Sequence, residues 1–316
     1  MVENTNTHNI KANDDIKAIL ATANKSRLNR VNAGDLFIVF ICLILIATCV
    51  LPLLSVIAQS LSSPRAILHR EVTFWPVDLH VDAYRDLIFA DRRFMTSLGW
   101  TAILTVIATV VNVTMTVLCA YPLTYDKLKG RKFITVFILF TMLFSAGTIP
   151  NFILFSNLGL INNPLVLILP GMISVFWVIV MRKFFLGIPA SLKESAEIDG
   201  ASPLRVLTSI YLPLSTPVLA TAALMYAVGR WNGFTDALMF MQGRPEYHPI
   251  QLLLYHIINN NIGIDTTLDP GIAGTPGRSE TIRGAAIVVA TVPILCVYPW
   301  LQRFFVKGVT LGAVKG

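Results

Sequence analysis

The sequence predicts an all-α membrane protein with six transmembrane helices and both termini in the cytoplasm. Three observations lead there. Hydrophobic residues make up 54% of the 316 positions and charged residues only 14%, with a mean hydropathy of +0.66, whereas about a quarter of a soluble domain is charged. Six stretches, 37–57, 98–121, 133–155, 165–185, 218–241 and 285–305, stay apolar over the roughly 20 residues that a bilayer crossing requires. The lysines fall on one side of these spans: Lys11, Lys17 and Lys25 precede the first, Lys127, Lys129 and Lys132 lie between the second and third, Lys183 and Lys193 follow the fourth, and Lys307 and Lys315 close the chain. Arg131, Arg182 and Arg205 share that side, so the positive-inside rule places it in the cytoplasm.

Taken in order, residues 1–34 read as a polar cytoplasmic arm with a short helix near 14–23, and 35–316 as one transmembrane domain. The long polar lead and the missing small-residue cleavage site argue against a removed signal peptide, so the first span is an anchor. The external loop 60–95 interleaves Arg65, Arg70, Arg85, Arg92 and Arg93 with Glu71, Asp78, Asp82, Asp86 and Asp91, which suits a folded external feature. Within it, Phe74, Trp75, Pro76 and Tyr84 suit a membrane interface.

Gly147, Pro150, Pro170 and Gly171 interrupt the third and fourth spans, where neighbouring protein or a cavity must satisfy the freed backbone; a transport pathway and a simple packed kink both fit. In the fifth span, Arg230, Trp231 and Asn232 stand with Asp236 nearby. A charge at bilayer depth costs about 2.5 to 3.5 kcal/mol and faces a cavity or a partner. Six positions along a helix turn through about 240°, which sets an Arg230–Asp236 pair off one face, so Arg230, Trp231 and Asn232 are expected to line a translocation route. There the guanidinium suits a carboxylate and the aromatic and amide groups suit a sugar ring.

The second external loop, 242–283, holds PEYHPIQLLLYHIINN, an amphipathic helix in outline, and a turn-rich GIAGTPG. Its His248 and His256 lack further metal ligands and read as surface histidines. The sixth span carries Pro293 and Pro299 and runs into a glycine-spaced cationic tail.

Composition also excludes. The net charge of +7 and pI near 9.3 do not mark a nucleic-acid binder, because the charges flank the spans instead of forming a basic face. Cys42, Cys49, Cys119 and Cys296 all lie in spans, with neither metal spacing nor a disulfide framework. No nucleophile with its base, no metal ligand set and no acid pair is evident, so no enzyme is expected. With no G-x-x-x-x-G-K-[ST] motif, the chain is expected to bind no nucleotide cofactor itself.

The polar interruption 186–217 between the fourth and fifth spans carries the most specific pattern. Residues 191–199 and 203–211 have helix-forming content, Ser202 suits an N-cap and Pro203 a first-turn position. Gly200 permits a sharp turn between the two, leaving Glu194, Glu197 and Asp199 on the surface of an elbow. On these grounds alone, a wet hairpin between two spans fits as well as a docking element.

Glu194, Ser195 and Ala196, then Gly200, then Ile210, Leu212 and Pro213 reproduce the spacing of the EAA loop, and the segment resembles that loop in the membrane subunits of bacterial ATP-binding-cassette importers. Ser195 departs from the family's usual alanine, a small-for-small change. The resemblance implies a type I importer permease fold in a bacterial cell membrane. It also implies a coupling helix that docks on a cytoplasmic ATPase: Glu194 pairs with a basic residue there, Asp199 and Gly200 shape the elbow, and Leu212 and Pro213 set the return into the membrane. GRKF, FSAGTIPNFILFSNLGLINNPL, VGRWNGF and the closing VYPWLQRFFVKGVTLGAVKG are similar to the carbohydrate-uptake branch, and within it to the subclass for oligosaccharides from complex polysaccharides.

Lys315 and Gly316 match the tail that reaches between the ATPase subunits in maltose-type importers. The partners so implied are a second permease subunit, two ATPase subunits that use ATP and Mg, an external solute-binding protein and a sugar. An ion-coupled carrier is the alternative, although Asp236 is the main acidic candidate in the spans to relay a proton.

Overall fold

Some of the long apolar runs become single helices, and others break into two at a glycine or a proline. The computed structural model describes residues 33–259 and 277–313, with side chains as far as 297. Every regular element among the described residues is helical. Residues 1–32 of the polar arm and 271–276 of the GIAGTPG turn lie outside them, as do Lys315 and Gly316. The chain divides into two compact units, 1–55 and 56–316.

The described part of the first unit is most of α1, Ala33–Ser60, which covers the first predicted span. Its large apolar side chains from Leu36 to Leu54 are 39% to 66% exposed. Such a surface suits surroundings of hydrocarbon.

The second unit is built on α2, Arg92–Ala120. The Asp91 carboxylate caps it, accepting the Arg93 and Phe94 N–H groups at 2.9 and 3.2 Å. At about 1.5 Å per residue, its 29 residues exceed the bilayer's hydrocarbon thickness. Three apolar clusters form along it. Phe94 packs with Ile250, Leu254 and Ala286 at its start, Leu104 with Val166, Leu167 and Met241 at its middle, and Val117, Ala120 and Tyr121 with Met181, Phe185 and Tyr211 at its end.

The third predicted span breaks into α3, Arg131–Leu143, and α4, Thr148–Asn157, which meet at 114°. Gly147 makes the break, at φ 86° and ψ 176°, a conformation essentially reserved for glycine. Pro150 sits in the first turn of α4, where its missing N–H costs nothing. The fourth span enters as 3₁₀ turns over Pro164–Leu167 and Leu169–Gly171, then bends 47° into α5, Val175–Leu186.

After the elbow helix α6, Ala190–Ile198, the fifth span is α7, Thr216–Asn232, followed by a separate short α8, Thr235–Phe240. The amphipathic helix expected in the second external loop is α9, Ile250–Asn259, with Ile250, Leu252, Leu254 and Ile257 buried. The last helix, α10, Arg278–Ala313, runs on through Pro293 and Pro299. Among the described residues, three helices are long and apolar enough to cross a membrane; Pro203–Leu214 and Thr216–Asn232 form a third bent pair at 84°, and the total reaches six when each bent pair counts as one span.

The loop 60–95 is folded, as its mixed charges suggest: Arg278 at the start of α10 bonds Asp86 at 2.6 Å. Trp75 is 82% exposed, whereas the Tyr84 hydroxyl is tied to Ser60 Oγ at 2.6 Å and the ring packs on the first cluster. Tyr84 therefore belongs to the core side of this loop and not with Phe74 and Trp75. His248 and His256 are half-buried, not surface residues, with ring centroids 6.4 Å apart and His248 Nε2 2.8 Å from the Met241 carbonyl oxygen.

Candidate functional site: the elbow and the Arg230 clamp

The elbow forms through its local sequence. α6 ends at Ile198; Gly200 N–H then donates to the Glu197 carbonyl at 3.1 Å and Ala201 N–H to the Ala196 carbonyl at 2.9 Å. This paired closure of a helix C-terminus needs a left-handed residue, and Gly200 supplies it at φ +77°. A Cβ at Gly200 would meet nothing within 4 Å, so backbone conformation and not space selects glycine. The chain restarts at Pro203, with Ser202 Oγ accepting the Arg205 N–H at 3.4 Å. It then widens into a π turn over Leu207–Tyr211 and reaches α7 through Leu212 and Pro213.

Glu194, Ser195 and Asp199 project to the exposed face together with Ile198, which is 86% exposed. Ala196, Ile210 and Leu212 turn the other way and pack on the cluster at the end of α2, while Pro213 is exposed. Spacing alone did not separate these two sets; helical phase does.

Sequence reasoning missed what holds the elbow in place. Tyr121 and Phe185 meet Tyr211 edge-on, with centroids 5.1 and 5.4 Å away. The Tyr121 hydroxyl donates to the Pro203 carbonyl at 3.0 Å and bonds the Tyr125 hydroxyl at 2.7 Å. The Lys193 ammonium sits 3.7 Å from the centroid of the Tyr125 ring and 3.7 Å from Glu197. Burial pushes the Tyr211 phenol above its ordinary pKa, with Tyr125 and Glu197 adding to the shift. An uncharged aromatic bed thus links the elbow to α2 and α5. The signal available for it was the recurrence of tyrosine at the ends of two spans.

Arg230 departs from expectation. Its guanidinium grips both carboxylate oxygens of Asp236, and it also donates to the Leu167 carbonyl at 2.9 Å and the Gly233 carbonyl at 3.0 Å. A separation of 240° holds only along one continuous helix, and α7 stops at Asn232, where extended Gly233 swings Asp236 back onto Arg230. The side chain of Arg230 is only 11% exposed, and its Nε is buried without a partner among the described residues. Trp231 Nε1–H donates to the Ala290 carbonyl at 3.2 Å, on α10. Of the three residues expected to line a route, only Asn232 is exposed. Arg230 and Trp231 tie the broken fifth span to the fourth and sixth.

The model for the inner membrane component of binding-protein-dependent transport systems matches residues 112–311, a range that contains both the elbow and the clamp. The chain belongs to this family. This permease is 39% identical over 282 residues to the polygalacturonan/rhamnogalacturonan transport system permease protein YtcP of Bacillus subtilis, covering 89% of this chain and 98% of the relative. It is 28% identical to the arabinooligosaccharides transport system permease protein AraQ of Halalkalibacterium halodurans, covering 90% and 95%. A chain of a solved bacterial ABC transporter involved in the import of the acidic polysaccharide alginate superposes with a TM-score of 0.80 at 31% identity, covering 87% of this permease and 99% of that chain. The all-helical type I permease fold follows, and the ion-coupled carrier is left without support. As a permease, the chain is not itself an enzyme.

Proposed function

We propose that this permease carries oligosaccharides released from acidic polysaccharides across a bacterial cell membrane by alternating access. The elbow is the point at which a separate ATPase drives it. The observation that carries the reading is the elbow's geometry: a rigidly closed helical turn, bedded on aromatic rings, that presents Glu194, Ser195, Ile198 and Asp199 outward. A surface combining carboxylates with an apolar side chain, and anchored in the spans, suits transmission of a rigid-body push.

The working assembly holds a second, similar permease subunit, two ATPase subunits that consume ATP with Mg, and an external solute-binding protein. Both termini and the elbow face the cytoplasm in this reading, and the tail residues Lys315 and Gly316 reach toward the ATPases. The acidic character of the substrate draws on relatives named for polygalacturonan and alginate, since Arg230 is already neutralised by Asp236. Asn232 remains a pathway residue in this proposal, because its amide is exposed beside the break in the fifth span.

The test is a mild-detergent pull-down of the tagged chain from its host, wild type against Glu194→Arg, together with uptake of labelled oligogalacturonate. Loss of the ATPase with retention of the second membrane subunit in the variant is the expected result. Equal ATPase recovery from both would overturn the role given to Glu194. Normal uptake of neutral oligosaccharides with none of acidic ones would overturn the substrate class.

A further inference from the structure

Between the last turns of α2, the second arm of the elbow and the first turns of α7 lies an open apolar groove of about 520 Å³, walled by Val113, Val117, Leu118, Leu204, Leu207 and Leu219. A second groove, of about 430 Å³, shares Leu118, Leu204 and Leu207 with it and continues along Tyr121, Tyr125 and Pro203 to Lys127. The two form one channel that starts within the spans and ends at the basic turn before α3.

Apart from the exposed Thr114, its polar side-chain atoms are committed elsewhere. Thr208 Oγ1 donates to the Leu204 carbonyl at 3.1 Å and Thr216 Oγ1 to the Pro213 carbonyl at 2.8 Å, so both present methyl groups. The Tyr121 and Tyr125 hydroxyls bond each other at 2.7 Å. A sugar would find few partners on such walls, because buried hydroxyls need hydrogen bonds. The mouth is the opposite. Lys127 lines it, Lys129 and Lys132 are exposed in the same turn, and Arg205 is exposed next to the lining residue Leu204. The one acidic residue of the turn, Asp126, is already bonded to Arg131 at 2.6 Å. Lys193 is held by Tyr125 and Glu197.

We infer that this groove binds an anionic glycerophospholipid, with an acyl chain along Val113, Leu118 and Leu219 and the phosphate at Lys127 and Arg205. A hydrocarbon trough that ends in unmatched cations at the membrane edge complements a lipid with a charged head. Because the elbow forms one wall, an occupied groove braces the elbow from the membrane side. The inference rests on the membrane-embedded fold and is independent of which sugar is carried.

The experiment uses the full-length chain, purified with its associated subunits into bicelles of equal phosphatidylglycerol and phosphatidylethanolamine, with co-purified lipid measured by mass spectrometry. Phosphatidylglycerol should be enriched over the bulk ratio, and Lys127→Glu should cut the enrichment about fivefold, the factor for about 1 kcal/mol per cation at an anionic lipid surface. Ala223→Phe, which projects into the groove wall, should lower retention of both lipids. A photo-crosslinking residue at Leu118 should form lipid adducts. Retention at the bulk ratio in the wild type, an unchanged ratio in Lys127→Glu, or adducts at Leu118 to the second membrane subunit would each overturn the assignment. Since Lys127 and Leu118 are exposed, neither change endangers folding.

Discussion

The Lys193 ammonium lies over the Tyr125 ring, 3.7 Å from its centroid, so a residue of the elbow is held by one from the turn after α2. At a partly exposed site such a contact is worth about 0.5 to 1 kcal/mol. That is too little to matter for the whole fold and enough to bias where the elbow rests.

Tyr125→Leu should therefore shift the thermal midpoint only slightly while reducing uptake driven by ATP hydrolysis several-fold. Hydrolysis and uptake measured on the same reconstituted vesicles check it. A parallel fall in both rates would point to lost assembly instead of lost coupling.

Gly200 gives a sharper test. At φ +77° an L side chain costs about 1 to 2 kcal/mol, and no neighbour crowds the position. Gly200→Ala should destabilise the elbow by that amount, and Gly200→Asn by less, because asparagine visits the left-handed region more readily. Hydrogen exchange of the amides of 190–201 should rise in the order Gly, Asn, Ala. Equal protection in the wild type and both variants would mean that the paired closure does not hold the turn.

Arg230 and Asp236 distinguish a clamp from a substrate contact. Removing one partner of a buried ion pair costs about 3 to 5 kcal/mol, and the 30% exposure of Asp236 places this pair at the lower end. Arg230→Met and Asp236→Leu should each lower the thermal midpoint strongly, whereas the double variant should lose less than the sum of the two. A single variant that unfolds normally but takes up acidic oligosaccharide poorly would return Arg230 to the pathway.

This clamp also marks the limit of what the sequence conveys. The apolar runs, the elbow with its Ser202 cap and Gly200 turn, and the helix Ile250–Asn259 were legible, because capping, glycine conformation and hydrophobic period are local properties. The pairing of Arg230 with Asp236 was not. It depends on where α7 stops, and Gly233 in an extended conformation is compatible with either outcome until Leu167 of another span adds its carbonyl. The aromatic bed was hidden for a similar reason: Tyr121, Phe185 and Tyr211 come from three separate segments, and only their packing makes them one feature.

His256 should make the segment 242–259 sensitive to pH. Burial holds its imidazole below the ordinary pKa of about 6.5, and the neighbouring His248 lowers it further. Among the groups facing it are His248, itself within bonding distance of the Met241 carbonyl, and the Tyr255 ring at 5.7 Å. Just below pH 6.5 the unfolded chain therefore carries more of this proton than the folded one. Stability rises with pH through that window, is complete above it, and is lost as pH falls from about 6.5 toward the lowered folded value. Thermal midpoints recorded from about pH 7.5 to about pH 5.5 should fall in the wild type. His256→Gln should flatten the difference, and His248→Gln should flatten it in part by removing the secondary cause. Wild-type and His256→Gln curves that run parallel over this range would show that His256 titrates alike in both states.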